Sequence, residues 1–179
     1  LLTCVVFTSA FKGDDFTKIK VNDNITVFLP ADFTTIPQEE INKRQLSSRK
    51  PLLFYTDPYQ EVDFTVNMSY SLWGSNDFEI LRSFYRSTLM SLYDEINFIT
   101  DDIVEIEGRN FVMFEFESVV KDDEESFLIK GNVKNYTLIV YTVLKNNNTV
   151  LVSFTCPSLK MGMWQDTAHK IMNKVKVKE

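Results

Sequence analysis

The chain has a single histidine, His169, and two cysteines, Cys4 and Cys156. Imidazole or thiolate chemistry must therefore run through these three side chains. Asp166 precedes His169 by three positions, and on a helix that spacing puts both on one face, where a carboxylate could orient an imidazole base. Cys156 as a nucleophile would need an accessible setting that lowers its pKa. It closes the run Val150 to Cys156, beside Val152 and Phe154, where a cysteine reads as a small buried hydrophobe. No serine or cysteine is tied to His169 by a motif, so a helix-surface histidine is the simpler reading. A hydrolase using Cys156 or His169 stays open as an alternative.

Acids are more plentiful, 25 Asp and Glu against 19 Lys and Arg, for a net charge of −6. They recur as Asp14-Asp15, Asp94-Glu95, Asp101-Asp102 and Asp122-Asp123-Glu124-Glu125. A calcium loop needs ligands spaced along a turn that usually contains Gly, and none of these runs has that spacing. Solvated loops are the reading for all of them. One His and two Cys cannot complete a structural zinc site without carboxylates. Phosphate loops, the Rossmann glycine pattern, the nucleophile elbow and the zinc helix motif are missing from the sequence. With five glycines in the chain, close backbone approach to a cofactor phosphate is disfavoured. The expectation is therefore no catalytic residue, no cofactor and no metal. The negative charge also argues against nucleic acid or anionic lipid as the partner. Aromatics are the remaining candidates. Tyr55, Tyr59, Tyr70 and Trp73 flank a hairpin and the turn after it, as residues that anchor a protein or apolar partner do; capping the core is their alternative role.

Residues 1–10 (LLTCVVFTSA) carry no charge, and the chain turns polar from Phe11 to Thr17. This pattern fits the tail of a signal peptide ending in Thr8-Ser9-Ala10. The expected organisation is a signal-peptide remnant over 1–10 and one domain over 11–179, exported to a periplasmic or extracellular space. The apolar run is too short to span a bilayer. Cys4 is disfavoured as a lipid anchor because Thr3 precedes it and the apolar run continues past it.

The elements that must position these residues follow from periodicity. Ile25 to Leu29 reads as a strand stopped by Pro30, and Ile36 to Gln45 as a short helix with Pro and acids in its first turn. Pro51 to Thr56 and Val62 to Leu72 read as strands around the turn Asp57-Pro58-Tyr59-Gln60. Asn76 and Glu79 suit a capping box, after which Phe78, Leu81, Tyr85, Leu89 and Leu92 mark an amphipathic helix with Phe84 alongside. Ile103 to Glu107 and Phe111 to Val120 read as a hairpin around Gly108-Arg109-Asn110, with Val112, Phe114 and Phe116 buried opposite Glu115 and Glu117. Lys121 to Ser126 is a charged connection and Phe127 to Lys130 a short strand. Asn135 to Leu144, apolar on both faces, is a central strand, with Val150 to Cys156 as its antiparallel partner. Met161, Trp164, Ala168, Ile171, Met172 and Val175 stripe a terminal helix, with Trp164 in the core. Strands interrupted by few helices indicate α+β.

This order of elements, with Ile25-Thr26-Val27-Phe28-Leu29-Pro30, Asn135 to Cys156 and Trp164 to Val177, resembles the superfamily shared by PsbP of photosystem II, the nuclear Ran-release factors and DcrB-like bacterial envelope proteins. The resemblance implies a PsbP-like α/β/α sandwich, an antiparallel sheet flanked by helices. It also implies a binding or adaptor protein with no shared catalytic residues to transfer. A secreted or periplasmic binding protein is the leading expectation, with a purely structural envelope protein as a further alternative.

Overall fold

A computed structural model describes residues 15–44, 50–70, 73–74, 77–121 and 132–178. The apolar run 1–10 with Cys4, the acidic stretch 122–125 and the expected strand 127–130 lie outside them.

Among the described residues, two antiparallel sheets and three α-helices form the α+β architecture. The larger sheet has six strands in the order β3-β4-β8-β7-β6-β5: β3 (Leu53–Thr56), β4 (Asp63–Tyr70), β8 (Asn148–Pro157), β7 (Val133–Val143), β6 (Arg109–Val120) and β5 (Glu95–Ile106). The smaller has three, in the order β1-β2-β9: β1 (Phe16–Lys20), β2 (Ile25–Pro30) and β9 (Lys176–Val177). The helices are α1 (Gln38–Arg44), α2 (Phe78–Leu92) and α3 (Met161–Met172).

The large sheet is apolar on both faces, which makes the protein layered. On one face Phe64, Val66, Phe111, Met113, Leu138, Val152 and Phe154 pack against Ala168, Ile171 and Met172 of α3 and against Ile25, Val27 and Leu29 of the small sheet. On the other, Val112, Phe114, Phe116, Ile139 and Tyr141 pack against Leu81 and Leu89 of α2. Trp164 joins the first core between Phe33 and Phe154, with ring centroids 5.8 and 6.0 Å away.

Several turns follow directly from sequence chemistry. The β5–β6 hairpin closes on two residues, Glu107 at φ 51° and Gly108 at φ 78°. Both left-handed positions are what the twist of a two-residue hairpin demands. Between β3 and β4, the Asp57 carboxylate accepts backbone N–H bonds from Tyr59, Glu61 and Val62 at 3.3, 2.7 and 2.8 Å, so a buried acid organises the turn.

The sequence expectations differ from the structure at the sheet edges. Strand β5 starts at Glu95 rather than near Ile103. Asp101 and Asp102, read as a loop acid pair, lie within it. An edge strand exposes one side of its ladder and tolerates such charges. β1 and β9 are too short and too Lys-rich to show a period, and only pairing with β2 defines them.

Candidate functional site

The largest departure concerns Glu115. Alternation with Val112, Phe114 and Phe116 suggested a solvent face for Glu115 and Glu117, but that face is the one α3 covers, and Glu115 is buried at 2% exposure. Phe111 and Met113, four and two positions earlier on the same side, lie in the α3 core. Their parity was the signal available in the sequence.

Four side chains converge on this carboxylate. Oε1 accepts from the Tyr136 hydroxyl at 2.8 Å and from Gln165 Nε2 at 2.7 Å, and Oε2 accepts from the Thr100 hydroxyl at 3.1 Å. His169 Nε2 stands 3.2 Å from Oε1. Strands β5, β6 and β7 thus meet two successive turns of α3 at one acid. Burial alone pushes the Glu115 carboxyl up, but the bonds from Gln165 and Tyr136 and the attraction and bond of His169 outweigh it, and the net shift is downward. The same contact holds the Tyr136 phenol up, chiefly through burial and then through Glu115.

The partner the structure gives His169 is therefore Glu115 across the layer, and not Asp166 on its own helix. Cys156 is 2% exposed on the α3 face of β8. Burial, with a smaller push from Asp57, raises its thiol to about 12, so at neutral pH it is a protonated core side chain. Among the described residues no hydrogen bond joins Cys156 to His169. The Glu115 cluster has an oriented imidazole and a carboxylate bonded at both oxygens, with the Thr100 and Tyr136 hydroxyls spent on that carboxylate. Its geometry suits a clamp between α3 and the sheet. Among the described residues, no group of three or more His, Cys, Asp or Glu is placed to hold a metal.

The four aromatic candidates are not gathered into one patch. Tyr55 packs against the core on the α3 side. Tyr59, 81% exposed, sits on the β3–β4 turn, and Tyr70, 69% exposed, is at the other end of β4. Trp73 packs on Phe84 at 5.5 Å and joins the α2 core.

Through Phe84, Trp73 leads onto the α2 face of the large sheet. On one flank of the helix, Arg82 and Arg86 bind Asp101 on edge strand β5 at 2.6 and 2.7 Å. Underneath, Tyr85 stacks on Tyr141 of β7 with centroids 3.9 Å apart. The side of the helix away from these arginines carries Ile80 and Phe84, 52% and 47% exposed. The sheet floor there is Leu151, Ser153, Thr65 and Asn67, with the Thr65 and Ser153 hydroxyls 2.7 Å apart. At the far corner Arg44, ending α1, pairs with Asp63 at 3.0 Å. Ile80 and Phe84 are the residues sequence reasoning missed; their i, i+4 spacing on the helix side away from Leu81 and Leu89 was the readable sign.

No family profile and no curated protein sequence matches the chain. Solved structures do. Cyanobacterial PsbP (CyanoP) from Synechocystis sp. PCC 6803 superposes with a TM-score of 0.60 at 12% identity, over 99% of this chain and 98% of its own. LpqN, involved in cell envelope biogenesis of Mycobacterium tuberculosis, gives 0.58 at 12% identity, over 92% and 91%. The Saccharomyces cerevisiae Ran-binding protein Mog1p gives 0.55 at 12% identity, over 91% and 95%. At these identities the likeness establishes the fold alone.

Proposed function

We propose that this chain, with its PsbP-like fold, is a non-catalytic binding or adaptor protein that engages a protein partner along the Ile80–Phe84 flank of α2. The observation that carries the reading is the half-exposed pair Ile80 and Phe84, backed by Trp73, bordering a floor of hydroxyls and Leu151. Apolar side chains beside polar groups able to hydrogen-bond are the makings of a partner contact. Two further observations support it. The imidazole and the thiol, the best nucleophilic chemistry in the sequence, are occupied by a clamp and by the core. One structural neighbour, Mog1p, binds Ran, and another, LpqN, is involved in cell envelope biogenesis.

The uncharged run 1–10 and the LpqN likeness favour export, with a mature domain starting near residue 11. No described helix is long and apolar enough to cross a membrane. Of the four aromatics, Trp73 is the one that packs on Phe84. Capture from the native envelope fraction, with the unsubstituted chain and with Ile80→Lys/Phe84→Lys, tests the reading. A partner retained by the first and lost by the second is expected. Equal retention by both would overturn the assignment of the Ile80–Phe84 flank.

A further inference from the structure

The protein is acidic overall, yet the outer face of the small sheet is basic. Register explains why. β1 pairs with β2 so that Lys18 faces Phe28 and Lys20 faces Thr26, while β9 brings Lys176 to Thr26 from the other side. Ile25, Val27 and Leu29 alternate into the core, so Thr26 and Phe28 point outward with the lysines. Lys178 extends the β9 row, its backbone N–H donating to the Asn24 carbonyl at 2.8 Å. Two lysine rows therefore run along the two outer strands, with β2 as the floor between them. A cavity of about 420 Å³ lies there, lined by Lys18, Lys20, Lys176 and Lys178, by Thr26 and Phe28 of the floor, and by Asp23 and Asn24 of the β1–β2 turn.

The acids close to these rows are few. Lys20 pairs with Asp23 at 2.7 Å and Lys176 with Glu107 at 3.3 Å. Both pairs are exposed, and such pairs are weak enough to be exchanged for another carboxylate. Lys18 and Lys178 have no acidic partner among the described residues. Lys174 stands over the Phe16 ring, 4.4 Å from its centroid, and adds charge at one end.

We propose that this trough binds an extended acidic segment of a partner protein. Successive side chains of an extended segment alternate left and right, so each side presents a carboxylate about every 7 Å. That is also the spacing of two lysines i and i+2 on one strand. The two rows stand about 10 Å apart, two strand spacings, which leaves room for one polypeptide between them. A flat lipid surface meets the rims of such a trough but not its floor, and the net charge of −6 opposes a polyanionic surface as large as a membrane. Lysines that only guard open sheet edges would explain the placement on β1 and β9, but not the cavity between them. The trough lies on the side of the large sheet away from α2, so it stands or falls independently of the Ile80–Phe84 flank.

A fluorescein-labelled oligoglutamate peptide, followed by anisotropy with the whole chain, tests the proposal. The peptide is expected to bind, more weakly as salt is raised to about 0.15 M. Lys18→Glu/Lys176→Glu should weaken it at least about tenfold. Lys43→Gln, on α1, should leave it unchanged. Lys18→Gln/Lys178→Gln removes only cations that make no ion pair among the described residues, and should weaken binding about threefold even if charge reversal disturbs folding. Inorganic phosphate should not displace the peptide, and phosphatidylglycerol vesicles should not sediment the protein. No peptide binding, binding indifferent to the lysine variants, or stronger capture by vesicles or phosphate would each overturn it.

Discussion

Replacing Glu115 should cost more stability than any other acid-to-neutral change among the described residues, because it is the only carboxylate among them that takes side-chain bonds from two neighbouring strands and a helix at once. In Glu115→Ala the Tyr136 hydroxyl, fully buried, loses its acceptor, which costs about 1–3 kcal/mol. Gln165, His169 and Thr100 are partly exposed and regain water, so they add less. The expected total is about 2–4 kcal/mol, a large share of the roughly 5–15 kcal/mol typical of a domain. Glu115→Gln is gentler. Its oxygen keeps the Tyr136 and Gln165 bonds, and its amide donates to Thr100, so chiefly the charge assistance is lost, about 1–2 kcal/mol. Glu117→Gln, two residues on and half-exposed, should stay within about 0.5 kcal/mol.

Urea unfolding of the four proteins at neutral pH reads these differences as midpoint shifts at constant slope. The pH dependence has a definite sign. Glu115 titrates lower when folded than when unfolded, so the unfolded chain takes up the proton first as pH falls. The stabilisation is complete above the ordinary carboxylate range, about pH 4–5, and is lost as pH drops through the depressed folded value. Glu115→Gln should flatten that acid limb. An Ala variant as stable as the parent, or a Gln variant with an unchanged acid limb, would refute the clamp.

Three further outcomes follow from the same structure. In a Cys4→Ser background, Cys156 should resist Ellman's reagent in the native state and react fully once unfolded, because its thiol is buried and raised to about 12. Gly108→Ala should cost about 1 kcal/mol in thermal or urea unfolding, since φ 78° is strained for any side chain even where space is open. Asp101→Asn should loosen α2 from β5 by about 1 kcal/mol, since Arg82 and Arg86 share that carboxylate, and faster amide exchange over α2 would report it.

Much of the fold was legible because its central elements carry strong periods. β4, β7, β8, α2 and α3 all fall where alternation or the 3.6-residue stripe puts them. β1 and β9 were not legible, since Lys18, Lys20 and Lys176 carry no pattern until β2 is beside them. The site was harder to read for the same kind of reason. Glu115 looks like a surface acid until α3 is laid over Phe111 and Met113, because a sheet buried on both faces removes the solvent side that alternation presumes. His169 was visible as the lone imidazole, but its partner lies 54 residues away in sequence and is set by the packing of α3 on the sheet. The aromatic set was chosen by closeness in sequence, and β4 divides it between its two ends. Phe84 could be placed on α2, but its exposure depends on how far that helix reaches across the sheet.

Docking of a protein partner along the Ile80–Phe84 flank can be read out by site-specific photocrosslinking. With benzoylphenylalanine substituted at position 87, an exposed serine on the same flank of α2, the native envelope fraction should yield one discrete protein adduct. Introducing Phe84→Lys should abolish that adduct, while Tyr59→Lys, on the distant turn, should leave it intact. An adduct that survives Phe84→Lys, or one formed equally well from a probe on the exposed Lys170 side of α3, would contradict the claim.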